Sequence, residues 1–147
     1  MKFETGKKIL KINGTLLIIG AVITILLGIF SFVLGGAGTQ MPDVTKDPKL
    51  VEGIAALIFS GIGAVISGIC SLIEGIFSRL TGKNGRFATV TLLFAILGVI
   101  NAACASYNEF SKNGLSTTTI ISASVLCVLS VVIFLAAIAV KKGVKNA

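Results

Sequence analysis

The sequence predicts an all-α protein: a four-helix transmembrane antiparallel bundle with both termini cytoplasmic. Three observations carry this. Only 13% of the 147 residues are charged, against about a quarter in soluble domains, and mean hydropathy is +1.00. Polar side chains this sparse cannot cover a water-facing surface. Four apolar stretches, roughly 15–35, 54–77, 87–106 and 118–140, are each about 20 residues or longer, enough to cross ~30 Å of hydrocarbon at 1.5 Å per residue. Ten of the thirteen Lys and Arg residues fall on one side of those stretches, the side that the positive-inside rule makes cytoplasmic. No stretch contains a proline, and backbone groups in lipid must be satisfied within the segment, so the spans read as helices. The connections leave no room for a soluble domain, and residues 1–147 are expected to form a single integral membrane domain.

The lead, MKFETGKKILKI, mixes lysines with Phe3, Ile9, Leu10 and Ile12. It is expected either to lie on the inner leaflet or to run straight into the first span, with Asn13 as a candidate cap. The apolar run from Thr15 to Leu34 is longer than the ~7–15 residues of a signal-peptide core, so a retained helix is expected. Apart from Gly20 and Gly28, this first span is bulky.

Glycines 35, 36 and 38 and prolines 42 and 48 mark a loop over about 36–53. Asp43, Asp47 and Glu52 lie there, but they lack the ligand count and central glycine of a calcium loop and read as solvated charges.

The second span is the most informative. Ser60, Ser67 and Glu74 fall seven apart, as do Gly61, Gly68 and Gly75, and Ala64, Ser71 and Ser78. Positions seven apart share one seam of a left-handed helix pair. Lipid is as apolar as leucine, so small side chains and close backbone approach are what hold helices together there. The eight small residues among these positions therefore predict a packing seam, facing either another span of the chain or another molecule. Glu74 closes the seam near the cytoplasmic end and is a candidate polar or ion site, with pairing to Arg86, Lys11 or Lys141 as the structural reading.

In the third span Asn101, Ala102, Ala103, Ala105 and Ser106 form a second small-residue patch. Asn101 reads as interhelical glue or as a second candidate polar site. The STTT run at 116–119 is expected to cap the fourth span. Lys7, Lys8, Lys11, Arg79, Lys83, Arg86, Lys141 and Lys142 are expected to set topology and to meet lipid head groups.

Several chemistries are excluded by residue type. The chain has no histidine, so Ser–His and Cys–His catalytic pairs cannot form. Cys70, Cys104 and Cys127 lie inside spans at spacings that match no metal motif. No glycine-rich loop joins a strand to a helix, and no aromatic-interleaved basic patch suggests nucleic acid. A non-enzyme without cofactors or metals is expected, its partners being the lipid bilayer and a second copy of the chain or another membrane protein.

The stretch EGIAALIFSGIGAVISGICSLIEGIFSRLTGKN, followed by a third span, resembles small glycine-rich four-span bacterial membrane proteins of unknown function. The likeness rests on the small-residue second helix running into a short basic turn, and it implies a layout without an assigned activity. Eleven lysines against two arginines fit a low-GC bacterium, and the cell membrane is the expected location. Two functions follow. One is a structural or accessory multi-pass protein associating through small-residue seams; the other is a small oligomeric transporter or channel with Glu74 in a polar path.

Overall fold

The computed structural model describes residues 2–40, 47–113 and 117–145. Regular structure among them is entirely helical: α1 (Phe3–Gly38), α2 (Pro48–Asn84), α3 (Ala88–Asn113) and α4 (Thr117–Lys145). Three are long and apolar enough to cross a membrane, namely α1, α2 and the Cys127–Lys145 part of α4. The apolar part of α3, Ala88–Cys104, is shorter, about 25 Å at 1.5 Å per residue. Large apolar side chains such as Leu16, Phe30, Phe59 and Leu93 stand exposed along the helices. That surface suits lipid, and the chain is a membrane-embedded all-α protein.

The helices overrun the spans expected from hydropathy. At 36 and 37 residues, α1 and α2 are each roughly 55 Å long, well beyond the ~30 Å of a hydrocarbon core. The lead does not lie separately on a leaflet but forms the first turns of α1. Asn13 is consequently inside a helix and caps nothing. The cause is packing: Gly6 and Leu10 are buried, and Phe3 packs against the same core. At the other end Asp47 caps α2, its Oδ1 accepting the Lys49 N–H at 2.9 Å, with Pro48 at the first helical position where no N–H is needed. Of the loop expected over 36–53, residues 36–38 therefore belong to α1 and 48–53 to α2, while 41–46 lie outside the described residues. Asp43, Lys46 and Ser116, the last heading the expected cap of the fourth span, lie outside the described residues.

Packing divides the chain into two compact units: Leu16–Gly75, and Met1–Thr15 with Ile76–Ala147. The first is an antiparallel pair of α1 and α2. Each seven-residue step back along α1 is matched by seven forward along α2: Gly35 lies against Ile54, Gly28 against Gly61, and Ala21 against Gly68.

In the second unit, Leu10, Ala88, Ala95, Ala136, Ala137 and Val140 form a buried core, with Phe3, Leu92 and Phe134 against it. Alanine at so many core positions lets backbones come close, as at the seams of membrane helices generally. The α2–α3 turn is tight. Gly85 takes φ 69° just past α2, the left-handed stop that glycine adopts at little cost. Phe87 also has a positive φ of 63°, a strained conformation for a bulky residue. Its ring is held edge-on to Phe77, with centroids 5.3 Å apart.

A buried polar cluster locks this turn. Thr81 Oγ1 donates to the Arg86 carbonyl at 2.7 Å and lies 2.7 Å from Thr91 Oγ1. With the Thr81 proton committed to the carbonyl, Thr91 is the donor in the second bond. Ser78 Oγ donates to the Leu10 carbonyl at 3.1 Å, tying α2 to α1. Thr81→Val keeps the shape but orphans both partners. It is expected to cost about 1–3 kcal/mol, and Thr91→Val less, because Thr81 then keeps its carbonyl. Thermal unfolding of the two variants in mild detergent checks that order.

Candidate functional site

α2 carries two small-residue faces, and the structure puts them to different uses. Gly61, Gly68, Gly75 and Gly82 are spaced by seven and all are buried. Within the α1–α2 unit, a Cβ placed on Gly61 would lie 2.7 Å from both the Gly28 carbonyl oxygen and the Phe32 nitrogen. One placed on Gly68 would lie 3.1 Å from the Ala21 carbonyl oxygen. These are backbone atoms, so no side-chain rotation could make room. The matching face of α1 is also small: Gly14, Ala21, Gly28 and Gly35 are spaced by seven, and all are buried.

Of the two glycines inside the first span, Gly28 belongs to this face, whereas Gly20 is exposed and a Cβ there would meet nothing within 4 Å. The signal that identifies the seam is the strict seven-residue recurrence of Gly or Ala, sought on both helices at once. In α2 that recurrence extends one step beyond the expected seam, to Gly82.

The remaining seam residues divide. Ser78 is buried, and Ala64 and Ser71 are half-buried at the flank of the glycine face. Ser60 and Ser67 are exposed, and the Ser60 hydroxyl turns back to its own Leu57 carbonyl at 3.0 Å. They belong to a second face. Gly53, Ala56, Ser60, Gly63, Ser67 and Cys70 follow alternating steps of three and four along α2, and every one is exposed. A Cβ on Gly53 or Gly63 would meet nothing within 4 Å. Steps of three and four are the spacing of a helix–helix seam, here without an occupant among the described residues of this unit.

Glu74 is the next step of that outward face and is half-buried. It takes part in no salt bridge among the described residues, so the expected pairing with Arg86, Lys11 or Lys141 is not found. The nearest cation on its own helix, Arg79, is five residues on and off the i+3/i+4 face. Asn101 is exposed on α3 and makes no hydrogen bond among the described residues. In the Asn101–Ser106 patch, Ala102 and Ser106 are the buried members, and the Ser106 hydroxyl lies 3.7 Å from Cys127 Sγ. The side chain of Ala105 lies outside the described residues.

Among the described residues, each unit has an open groove. A groove of about 190 Å³ is lined by Ile29, Phe32, Gly61, Ile62, Val65 and Ile66. Another of about 360 Å³ is lined by Ile96, Val99, Ile100, Val131, Phe134 and Leu135. Both walls are apolar and include none of Ser60, Ser67, Glu74 or Asn101. Among the described residues no three His, Cys, Asp or Glu side chains gather as a metal site would require.

The basic residues expected at head-group level share one end of the second unit. Lys8, Lys11, Arg79, Lys83, Arg86, Lys141 and Lys142 are exposed there, while Lys7 is half-buried, 3.4 Å from Glu4 and 5.0 Å from the Phe3 ring centroid. Comparison of the chain with protein-family models, with curated proteins and with solved structures finds no match in any of the three.

Proposed function

We propose that this chain is a structural or accessory membrane subunit, without catalysis of its own, that docks laterally against a transmembrane helix of a second copy or of another membrane protein. The observation that carries the reading is the outward face of α2, whose six small residues from Gly53 to Cys70 are all exposed. Lipid offers no gain for such residues, because acyl chains pack equally well on leucine; a neighbouring backbone does. The inward glycine face already has its occupant in α1, so the outward face is the one free for assembly. Glu74 at the end of that face would meet a cation or hydrogen-bond donor of the partner. The cluster of basic helix ends favours an orientation with both termini cytoplasmic, and the lysine-rich composition favours a bacterial plasma membrane.

Cys70 lies on the outward face and reports on self-association. Two copies with the same topology, related by a two-fold axis along the membrane normal, would bring their Cys70 thiols to the same depth. With Cys104 and Cys127 replaced by alanine, mild oxidation in membranes is expected to give a cross-linked dimer, because a disulfide needs Cα atoms within about 7 Å. Gly63→Leu is expected to abolish it. A chain that stays monomeric under oxidation and by native mass spectrometry, and co-purifies with no other membrane protein, would defeat the reading.

A second reading, a small oligomeric transporter or channel, is favoured by one feature: Ser60, Ser67 and Glu74 lie in one register on that same face. Proton flux into reconstituted vesicles that Glu74→Gln abolishes, with assembly intact, would select it.

A further inference from the structure

Ten of the thirteen cationic residues lie in segments 1–12, 79–86 and 141–145, where the sequence supplies a single carboxylate, Glu4. Within the second unit those segments are pressed together by glycine contacts. A Cβ on Gly82 of α2 would lie 2.6 Å from the Lys7 carbonyl oxygen and from the Lys11 nitrogen of α1. One on Gly6 of α1 would lie 2.9 Å from the Ala136 carbonyl oxygen of α4. Gly143 of α4 abuts Phe3, and Gly85 in the turn abuts Val144. Helices packed this closely have axes roughly 8–10 Å apart, about one Debye length at physiological salt, so repulsion among their charges is only partly screened. Glu4 is already engaged by Lys7. Among the described residues of these three segments no other carboxylate stands by to balance the remainder, which leaves the cations open to an anion from outside the chain.

The position of the cations identifies the source. The apolar run of α4 ends at Val140, directly before Lys141 and Lys142, and that of α1 begins four residues after Lys11. The cations therefore border the hydrocarbon, at the depth of lipid phosphates. Exposed apolar side chains are interleaved with them: Ile12, Leu80, Phe87 and Val144. Such a surface, apolar and cationic by turns, fits a lipid interface better than a nucleic acid or a soluble acidic peptide, which would leave those side chains wet.

We propose that this end of the second unit binds the head groups of anionic glycerophospholipids, and that the bound phosphates hold the basic ends of α1, α2 and α4 together. The site is separate from the outward face of α2 and does not depend on its role.

The test uses the full chain in neutral detergent micelles doped with phosphatidylglycerol or with phosphatidylcholine. Two readouts are followed: the thermal midpoint, and the rate of tryptic cleavage at Lys7, Lys8 and Lys11. Phosphatidylglycerol is expected to raise the midpoint and slow cleavage, and phosphatidylcholine to do neither. About 0.5 M NaCl should remove the effect by screening. The triple variant Lys11→Gln, Lys83→Gln, Lys142→Gln is expected to need about 100-fold more phosphatidylglycerol for the same shift, whereas Lys49→Gln, on the opposite side, needs no more. Equal stabilisation by phosphatidylcholine, or a triple variant that responds like the parent chain, would overturn the proposal. So would inorganic phosphate or a short oligonucleotide matching the lipid at equal phosphate concentration, since either would assign the site to soluble anions. Should the triple variant fail to fold, the salt and lipid dependence of the parent chain decides alone.

Discussion

Gly61→Leu is expected to separate α1 from α2. The substitution puts four carbons where a single Cβ would already sit 2.7 Å from the Gly28 carbonyl oxygen and the Phe32 nitrogen. Overpacking in a well-filled interior costs typically 1–3 kcal/mol. Here the upper end or more is expected, since the opposing atoms are backbone and the whole helix must shift. The same shift would open the neighbouring contacts of Ala21 with Gly68 and of Gly35 with Ile54, which lie one heptad away on either side. Gly63→Leu is the matched control, because it adds the same group two residues along the same helix, where a Cβ meets nothing within 4 Å. At a protein-to-detergent ratio low enough to keep the chain monomeric, Gly61→Leu should lower the thermal midpoint sharply and Gly63→Leu should leave it in place. Equal behaviour of the two would mean that the glycine face of α2 is not what holds the pair. Under membrane conditions the prediction reverses for assembly: Gly63→Leu is the variant expected to lose the Cys70 cross-link.

That reversal shows what the sequence could and could not convey. Helical class and membrane residence were legible, since both follow from length, hydropathy and the absence of proline, which are properties of single segments. The recurrence of small residues along α2 was legible too. Which of its registers meets a neighbour was not. Ser60, Gly61 and Ala64 all lie within about one turn, and small size at each is equally compatible with a contact or a gap. Only the position of a second helix distinguishes them, and it selects Gly61 while leaving Ser60 outside. The helix ends were misjudged for a related reason. Hydropathy falls at Lys11 and at Arg79, yet α1 and α2 continue through both, because Gly6, Leu10, Ser78 and Thr81 find partners in the packed unit beyond. In α1 the mixture of lysines with Phe3, Ile9, Leu10 and Ile12 allowed either a lead on the leaflet or a continuous helix, and the burial of Leu10 selects the helix. Glu74 remained ambiguous because a carboxylate signals that it needs a partner without naming one.

Gly82→Leu carries the second large effect, at the opposite end of α2. Its Cβ would lie 2.6 Å from the Lys7 carbonyl oxygen and the Lys11 nitrogen, so the side chain cannot be accommodated while the first turns of α1 stay docked. The contact helps to hold down a segment that depends on packing to stay helical. Residues 3–12 carry four apolar side chains and three lysines, and an isolated helix of that length is marginal in water. Once Gly82→Leu displaces this segment, Leu10 leaves its buried site and Ser78 loses the carbonyl it donates to. The combined loss is expected to exceed about 3 kcal/mol locally, enough to raise the population of the undocked state more than 100-fold. The outcome is local and not global, because Ala88, Ala95, Ala136 and Ala137 retain their own packing between α3 and α4. Trypsin reads the difference directly, since cleavage requires an extended stretch and tracks the population that is open. Cleavage after Lys7, Lys8 and Lys11 should accelerate strongly in Gly82→Leu, with total helix content by circular dichroism reduced only by the first turns of α1. Resistance equal to the parent chain would show that α1 docks without this glycine. Wholesale loss of helix would show instead that the two ends of the bundle unfold as one.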